Sequence, residues 1–527
     1  MIPVCGAPKV VTEGTLAATS RRQFYRPAIC VDRLAPGEYV SSMRYLLTVL
    51  CLSLSWVYAQ PSDRPRTVIT TDGEIDDVDS FIRLLLYANE LRIEGLVYSS
   101  SMWHYKGDGR GTTMTSAMEM TRELYGERSE LRWPGEQWMQ ELIGAYGQVY
   151  PVLSTHAEGY PTAEELLGLV KVGNITFEGE MTQDTEGSTF IRDLLLDTTN
   201  TAPVYLQAWG GTNTIARALK SIEDTYAGTP VWPDLYRRVS DKAIIYVIMD
   251  QDATLRDYIA GSWPEVAVLY NAGQFGVLAY PWQRMVPEEM QFWLEGQWMG
   301  PHIIQDHGPL LAAYYSYGDG QQQAGDPEHI HGDSTRLDSA QWGSFQPYDF
   351  ISEGDSPAFL HLLDVGLDQL EHPEWGGWGG RVGYSDYNPY TRAPDPAYAQ
   401  TRWIPALQRD FAARADWCVL PYDAANHPPS VALDGTNRLT VRPRQPVNLQ
   451  VTATDPDGDD LYYHWWRYGE VDSYPGQFLL VQDGPRARFT VPYDMQPGQT
   501  IHLIVSVTDG GTPALTRYER VVLTVTK

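Results

Sequence analysis

The sequence predicts an α/β domain with a doubly wound, mostly parallel sheet, followed by a small all-β sandwich. Two observations predict the first domain. Residues 66–69 and 243–249 have the β-branched and apolar composition of buried strands, and segments of helical periodicity alternate with such strands along the chain. A third observation predicts the sandwich, because beyond residue 430 the chain changes to short segments of alternating polar and apolar residues between turns.

Composition narrows the class of partner. The chain has 527 residues, which predicts two or more domains. Its 67 acidic and 39 basic residues give a net charge of −28, which argues against nucleic acid and anionic membranes as partners. The 17 Trp and 33 Tyr residues favour a carbohydrate partner, because aromatic faces stack on sugar rings as well as filling cores.

The first 59 residues have the features of an export signal preceded by an unrelated segment. Residues 1–42 show no clear periodicity, and we interpret them as a mis-started upstream segment. Residues 43–59 resemble a signal peptide, with one positive charge, an apolar segment over 45–56 and tolerated residues before Gln60. The apolar segment is too short to span a membrane, and a buried strand is the alternative. We therefore expect a secreted or periplasmic protein without a membrane span, whose one remaining cysteine, Cys418, cannot form an intramolecular disulfide.

An acidic turn follows the first predicted strand. Residues 72–79, here called the acidic turn, contain five carboxylates: Asp72, Glu74, Asp76, Asp77 and Asp79. Two like charges about 4 Å apart repel by roughly 4 kcal/mol at an effective dielectric constant of 20, so converging carboxylates must bind protons, point into water or hold a cation. Oxygen ligands on a flexible loop favour calcium over magnesium. A solvated helix N-terminus is the alternative, because a helix is predicted to begin at this turn.

The acidic turn carries a resemblance to a known family. Asp72-x-x-x-Asp76-Asp77 after a strand resembles the cluster Asp-x-Asp-x-x-x-Asp-Asp of the inosine-uridine nucleoside hydrolases. The wider stretch 71–96 more closely resembles secreted bacterial nucleoside-hydrolase-like proteins, some of which are labelled cellulose-binding. Thr70 stands in place of the first aspartate of the motif, and Gly73-Glu74 replaces the usual Pro-Gly. The resemblance implies a nucleoside-hydrolase-like α/β domain over residues 60–425.

A second stretch carries the same resemblance. Residues 204–208 are predicted as a strand ending in Trp209-Gly210-Gly211-Thr212-Asn213, which is similar to the hydrolase segment Gly-Pro-Leu-Thr-Asn-Leu-Ala. The resemblance implies that the main-chain carbonyl of Thr212 binds calcium together with Asp72 and Asp77. It also implies a late aspartate ligand before a helix, for which Asp355 and Asp306 both qualify. We favour Asp355, because its distance from the end of the domain matches that of the hydrolase ligand; capping of a helix would explain either aspartate.

Other strand ends supply candidate substrate-binding residues, since the carboxyl ends of parallel strands border one cleft. Trp103 is expected to stack on a sugar, or else to pack locally. His104 is expected to donate a proton to a leaving group, or else to be an ordinary surface histidine. Gln251 and Asp252 follow the strand at 243–249 and are candidates for binding sugar hydroxyls.

The resemblance implies a metal-assisted, inverting hydrolysis of a glycosidic bond. Asp72 would accept a proton from water, Asp76 and Glu74 would bind the sugar, and His104 or His307 would protonate the leaving group. The competing hypothesis is a non-catalytic protein that binds a cellulose-like polysaccharide, which agrees with the abundant aromatics and the appended sandwich. A surface scaffold would leave the acidic turn unexplained. The expected partner is a carbohydrate or a nucleoside-like small molecule, with calcium as cofactor.

The last part of the chain is predicted to be an immunoglobulin-like β-sandwich over residues 430–527. Residues 426–429 are interpreted as a linker, and about 100 residues with short alternating strands follow. Asp455-Pro456-Asp457-Gly458 is a turn typical of immunoglobulin-like bacterial repeats. In front of the linker, the Gly-spaced loop 375–381 is expected to form a stacking wall over the cleft or to cover an edge of the sheet.

Overall fold

The structure is a computed structural model that describes residues 64–324, 331–382, 387–388, 393–394 and 397–527. The predicted upstream segment 1–42 and signal peptide 43–59 lie outside the described residues. Pro61–Lys527 form one compact unit. Among the described residues, no helix is long and apolar enough to cross a bilayer.

A six-stranded parallel sheet forms the centre of the α/β domain. The first eight strands of the described chain are β1 Arg66–Thr71, β2 Arg92–Tyr98, β3 Met114–Thr115, β4 Glu127–Arg128, β5 Val170–Val172, β6 Val204–Ala208, β7 Ala243–Ile248 and β8 Ala267–Asn271. The order in the sheet is β5-β2-β1-β6-β7-β8, and β3 pairs with β4 outside it. The chain winds outward from β1 and later returns to β6 to wind the other way, which confirms the predicted doubly wound fold. The winding reverses between β1 and β6, where the carboxyl ends of strands form a crevice for ligands.

Helices cover both faces of this sheet. The α-helices of the described residues are α1 Ile75–Leu86, α2 Glu119–Tyr125, α3 Trp138–Leu153, α4 Ala163–Leu169, α5 Glu186–Leu196, α6 Asn213–Tyr226, α7 Trp232–Lys242, α8 Ala260–Ser262, α9 Trp282–Met285, α10 Glu288–Gln291, α11 Gly296–Met299, α12 Gly308–Leu311, α13 Ser356–Leu360, α14 Tyr398–Thr401 and α15 Ile404–Asp416. Successive residues of β1 face opposite sides of the sheet, so Val68 and Ile69 belong to two separate hydrophobic cores.

Helix α1 is the buried centre of one of these cores. All of its residues except Asp76 are buried, including Arg83, and it packs against α3, α13 and α15. A helix that is buried all round has little freedom to move. It therefore gives the acidic turn a rigid support on one side.

Two mainly helical segments contain interruptions. Residues 119–174 include α2, α3 and α4 but end in β5, which is too short to show a periodicity of its own. Residues 398–416 are divided into α14 and α15, because Pro405 lies in the first turn of α15, where proline starts a helix.

Two four-stranded sheets form the C-terminal sandwich. The remaining strands among the described residues are β9 Tyr387–Asn388, β10 Ala393–Pro394, β11 Ser430–Leu433, β12 Arg438–Val441, β13 Pro446–Thr454, β14 Tyr462–Arg467, β15 Val481–Asp483, β16 Arg486–Thr490, β17 Thr500–Thr508 and β18 Thr516–Val525. Strands β9 and β10 form a separate two-stranded sheet. The other eight strands form the sandwich, in the orders β11-β13-β16-β15 and β12-β18-β17-β14. Alternate residues of β13 point into a core shared with Trp465 and Val505, as the period of two predicts.

The sandwich is joined to the α/β domain by buried polar contacts. Arg517 of β18 pairs with the buried Asp410 of α15 at 2.8 Å. Arg381 donates a hydrogen bond to the hydroxyl of Tyr468, which is fully buried, at 2.9 Å. Since breaking such pairs would leave charges in an apolar environment, the sandwich contributes to the stability of α15.

The tryptophan loop 375–381 belongs to this junction. The ring of Trp375 lies between His372, at 3.5 Å, and His502 of β17, at 4.7 Å. Trp378 is 1% exposed, and Arg517 of the sandwich lies over its ring. Both side chains therefore pack at the junction between the α/β domain and the sandwich. They form neither a stacking wall over the cleft nor a cover for the edge of the sheet.

Candidate metal centre

The acidic turn connects β1 to α1 at the carboxyl end of the central strand. Asp72 and Asp77 are 1% and 2% exposed, whereas Asp76 is only partly buried. The turn is tight because Gly73 has φ +81°, and a Cβ on it would lie 2.7 Å from both Pro134 and Trp138. A side chain at this position would therefore be strained by the positive φ and would collide with both neighbours.

Asp355, which precedes α13, joins the acidic turn in space. One carboxylate oxygen from each of Asp76, Asp77 and Asp355 lies within 4.8 Å of the others, and we call these three residues the metal centre. It is the only such cluster among the described residues. The alternative ligand, Asp306, is exposed and lies outside this cluster.

Burial and mutual repulsion raise the pKa of every carboxyl in the metal centre. Burial is the largest cause in each case. Next come the charges of Glu74 and Asp72 on Asp76, of Asp72 and Asp76 on Asp77, and of Asp77 and Asp76 on Asp355. A carboxylate with a raised pKa binds either a proton or a cation more readily than a free one.

The metal centre fits a hard divalent cation. Its ligand atoms are all oxygens, the type that calcium and magnesium prefer. Oδ1 of Asp76 and Oδ2 of Asp355 are buried without a hydrogen-bond partner. Within the described part of the chain, the ion pairs with basic side chains involve none of the three carboxylates. Their negative charge is thus left for a cation to neutralise.

Asp72 lies beside the metal centre with His104 as its partner. Nδ1 of His104 is 3.4 Å from Oδ2 of Asp72 and 4.0 Å from Oε2 of Glu74, and the histidine is fully buried. Burial pushes the pKa of Asp72 upward, but the neighbouring His104, followed by Ser101 and Asp77, together outweigh burial and leave this pKa lowered. His104 is therefore a buried partner of Asp72, which corrects its predicted position at a leaving group.

The mouth of the cleft is formed by partly exposed polar side chains. Glu74 is 16% exposed in its side chain and accepts a hydrogen bond from the hydroxyl of Tyr280 at 3.1 Å. Arg132 approaches the same carboxylate at 4.0 Å. We call Glu74, Asp76, Arg132 and Tyr280 the cleft mouth. Trp103 is also partly buried, and its ring packs edge-on against Tyr125 at 6.4 Å, the local packing that was the alternative prediction.

The glycine segment after β6 closes the other side of Asp72. A Cβ on Gly210 would lie 2.8 Å from Cγ of Asp72, so only glycine allows this approach. The carbonyl of Thr212, the predicted calcium ligand, accepts the amide of Ala216 in the first turn of α6, and its second lone pair is not used by this bond. The hydroxyl of Thr212 contacts Thr254 at 2.7 Å. The role of Thr212 as a ligand stays a prediction, whereas the close approach of Gly210 to Asp72 belongs to the observed geometry.

Family models match most of the chain that builds this site. The model described as "Cellulose-binding Sde182, nucleoside hydrolase-like domain" matches residues 66–382. The chain belongs to this family. A second model, "Cellulose-binding protein Sde0182, C-terminal domain", matches residues 446–525. The acidic turn and Asp355 both lie inside the match to the Sde182 nucleoside hydrolase-like family, which confirms the resemblance seen in the sequence.

Solved structures support the same assignment. A nucleoside hydrolase-related hypothetical protein from Saccharophagus degradans, described as associated with carbohydrate metabolism, is 27% identical, with a TM-score of 0.64 over 88% of this chain and 100% of that chain. Titin domain M7 and protocadherin gamma B2 cadherin domains 3–6 cover 19% of this chain and 97% and 26% of their own, at 15% and 27% identity. Their TM-scores of 0.14 carry no argument. No curated protein gives a significant match.

Gln251 and Asp252 hold the strand ends of this Sde182-type domain together. The side-chain amide of Gln251 donates to the carbonyls of Trp209 and Ile248 at 2.7 and 3.0 Å. Asp252 accepts from the amide of Asn213 at 2.8 Å and so caps α6, and burial raises its pKa to about 6. These bonds use the amide nitrogen of Gln251, and both carboxylate oxygens of Asp252 accept hydrogen bonds, since Oδ1 accepts from the hydroxyl of Thr254. The predicted role of the two side chains in binding sugar hydroxyls stays a prediction.

His307 lies far from the metal centre. Its Nε2 is 3.1 Å from Asp416 at the end of α15, and the adjacent Gly308 packs against Val149 of α3. The first residue of α3, Trp138, contacts Gly73, and Val149 lies eleven residues further on, about 16 Å along the helix axis. His307 therefore cannot protonate a leaving group at the acidic turn, and this prediction was wrong.

Arg132 and Tyr280 were not found from the sequence. Both lie in segments without a motif, and only the left-handed backbone of Arg132, with φ +46°, is unusual. A positive φ of a non-glycine residue has no signal in the sequence. Their place in the cleft mouth follows from how distant loops pack.

A cavity of about 1130 Å³ lies elsewhere, beside the amino ends of β1, β2 and β6. Arg66, which lines it, is already bonded to Glu94 at 2.7 Å and to the carbonyl of Ala202 at 3.1 Å. Ligand sites of doubly wound sheets lie at the opposite, carboxyl ends of the strands. We therefore place the candidate site at the acidic turn and not at this cavity.

Proposed function

We propose that the chain is a secreted, calcium-dependent hydrolase of glycosidic bonds, N- or O-glycosyl, in a sugar or nucleoside-like substrate. The observation that carries this proposal is the convergence of Asp76, Asp77 and Asp355 within 4.8 Å, beside Asp72 and at the point where the sheet reverses. The family description and the link of the Saccharophagus degradans protein to carbohydrate metabolism support a substrate that contains a sugar.

The three carboxylates of the metal centre would hold calcium, with Asp72 at its side. When bound, calcium supplies a Lewis acid and a fixed positive charge next to the reacting bond. It would also neutralise the repulsion that raises the pKa of these carboxyls. Several carboxylates favour calcium over magnesium here, because magnesium demands a stricter octahedral geometry and keeps more of its own waters.

Each side chain around the metal centre has its own role in the proposed reaction. Asp72 has a lowered pKa and is ionised at neutral pH, so its carboxylate can accept a proton from the attacking water. His104, at 3.4 Å, stabilises the ionised form of Asp72 and holds its orientation. Asp76 and Glu74 at the cleft mouth can accept hydrogen bonds from sugar hydroxyls, while the hydroxyl of Tyr280 orients Glu74.

A non-catalytic carbohydrate-binding protein is the second candidate, and one observation favours it. Neither histidine predicted as the acid for the leaving group faces the cleft mouth, since His104 is fully buried against Asp72 and His307 pairs with Asp416. A site that binds a sugar through calcium needs no such acid. The description of the family as cellulose-binding agrees with this candidate.

A single set of assays separates the two. The purified chain is incubated with nucleosides, aryl glycosides and cello-oligosaccharides, in calcium and in chelator, and binding to insoluble cellulose is measured in parallel. Sugar release that requires calcium, disappears in Asp72→Asn and persists in the exposed control Asp306→Asn supports the hydrolase. Calcium-dependent retention on cellulose without release of any sugar supports the binding protein. Failure of the wild-type chain to bind calcium contradicts both.

A further inference from the structure

A fully buried ion pair lies next to the metal centre. Nε and Nη2 of Arg83 on α1 donate to the two carboxylate oxygens of Glu353 at 2.5 and 2.9 Å. Both side chains are 0% exposed, and the guanidinium lies 3.8 Å above the ring of Phe411. The pair joins residues 270 positions apart in the sequence. Desolvation makes such a pair costly, and apolar residues of similar volume commonly stabilise a core equally well. Stability alone therefore does not account for it.

Glu353 holds the segment that carries Asp355. It accepts further hydrogen bonds from the hydroxyl of Tyr314 at 2.5 Å and from the hydroxyl of Ser356 at 2.7 Å. The amide of Ser356 also donates to the carbonyl of Glu353 at 3.0 Å. Asp355 is thus enclosed between two residues whose side chains are bonded to each other. Its own side chain makes no capping hydrogen bond to α13.

The same helix carries Arg83 and the other two carboxylates of the metal centre. Asp76 and Arg83 are seven residues apart, so they lie on one side of α1, two turns from each other. Between them, the hydroxyl oxygens of Ser80 and Ser356 lie 3.2 Å apart, within hydrogen-bond distance. Gly354, which precedes Asp355, lies so close to the acidic turn that a Cβ on it would be 2.6 Å from Oδ2 of Asp76. The segment 353–356 is therefore attached to α1 along its length, and its position decides where Asp355 lies.

We propose that Arg83 is a positioning residue, which acts through Glu353 to set the distance of Asp355 from Asp76 and Asp77 and so the affinity of the metal centre for calcium. This inference rests on the metal centre of the proposed function. Metal ligands depend on the groups that orient them, and loss of such a group lowers metal affinity about 10- to 100-fold. We expect a loss of this size when the ion pair is removed.

The test replaces the pair in a way that keeps the core filled. Arg83→Met alone would leave Glu353 buried without its cation and is expected to unfold the segment or the protein. The double variant Arg83→Met/Glu353→Met removes both charges and is expected to fold. Arg83→Lys retains the charge but not the two parallel hydrogen bonds, and should recover part of the affinity. The matched control is Arg414→Met, which removes another buried arginine, 3% exposed and bonded to Asp410 at 3.2 Å, from α15.

Two readouts decide the question. Calorimetric titration with calcium should give a dissociation constant about 10- to 100-fold weaker for the double variant than for the wild type, with a value near wild type for Arg414→Met. Crystal structures without metal should show the carboxylate of Asp355 displaced by about 1 Å or more in the double variant. A folded double variant with wild-type affinity, or with Asp355 undisplaced, overturns the inference. If the wild type binds no calcium, the proposed function fails, and the crystal structures alone still decide whether Arg83 positions Asp355.

Discussion

Replacement of Asp355 by asparagine tests the metal centre through protein stability. The carboxylate oxygens of Asp76, Asp77 and Asp355 lie within 4.8 Å, a distance at which two unit charges repel by about 3.5 kcal/mol at an effective dielectric constant of 20. Proton binding relieves part of this repulsion. We therefore expect Asp355→Asn to raise the free energy of unfolding of the metal-free protein by about 1–3 kcal/mol. The side chain of Asp355 makes no capping hydrogen bond, so the substitution removes charge without removing a cap.

Calcium should reverse the order of the two proteins. At a calcium concentration about 1,000 times the dissociation constant, the wild type gains about 4.1 kcal/mol of stability, which exceeds the expected advantage of the variant in chelator, whereas Asp355→Asn gains little because it lacks one of the three carboxylates. Urea unfolding in chelator and in calcium measures both differences. Asp306→Asn, an exposed aspartate outside the cluster, should match the wild type in both conditions. A variant that is less stable than wild type in chelator, or that keeps the full calcium gain, would refute the reasoning.

The same variant predicts a pH dependence with a definite sign. The pKa of Asp355 in the folded protein is raised by burial and by its neighbours, so the folded state holds a proton that the unfolded state releases above about pH 4. Such a group lowers stability as pH rises above its unfolded pKa. In chelator, the advantage of Asp355→Asn over wild type should therefore be absent at pH 3 and grow above about pH 4. An advantage that shrinks with rising pH contradicts a raised pKa.

Three further predictions follow from contacts at the cleft and at the junction with the sandwich. His104→Gln removes the charge that lowers the pKa of Asp72, so burial should dominate and the acidic limb of the kcat/KM profile should move to higher pH; an unmoved limb would contradict this role. Gly210→Ala introduces a Cβ 2.8 Å from Asp72 and should lower kcat and cost about 1–3 kcal/mol of stability, whereas Gly261→Ala, with open space around it, should change neither. Arg517→Ala removes one charged hydrogen bond from a buried carboxylate of α15 and should lower the free energy of unfolding in urea by about 2 kcal/mol, and equal stability would show that the sandwich does not support α15.

Residues close together in the sequence were predicted best. The acidic turn lies between a β-branched strand and an apolar helical pattern, both of which are local signals, and the structure places the turn between β1 and α1. The glycine segment was also placed correctly after β6 and before a helix, since Thr212 directly precedes α6. Local pattern predicts which element a residue belongs to. Local pattern does not predict which polar atoms of that residue already have hydrogen-bond partners within the protein.

Residues assigned by strand-end position alone were predicted less well. Gln251 and Asp252 do follow β7, but their hydrogen bonds go to neighbouring strand and helix ends rather than into the cleft. His104 follows β2 and is buried against Asp72, not exposed at the mouth. A polar residue at a strand end can bind a ligand or can bond to backbone groups of the chain itself. Buried backbone groups need hydrogen-bond partners, so position at a strand end does not by itself predict a ligand contact.

The sequence by itself determined the strand, turn and helix around the acidic turn, the winding of the sheet and the change to a sandwich, because hydrophobic period and carboxylate density are properties of neighbouring residues. Only the tertiary structure decided that Asp355 and not Asp306 completes the cluster, and that Arg83 meets Glu353 across 270 residues of sequence. Contacts of this kind depend on how whole helices pack against each other. Packing involves many residues that are distant in the sequence, so no short stretch of sequence encodes it.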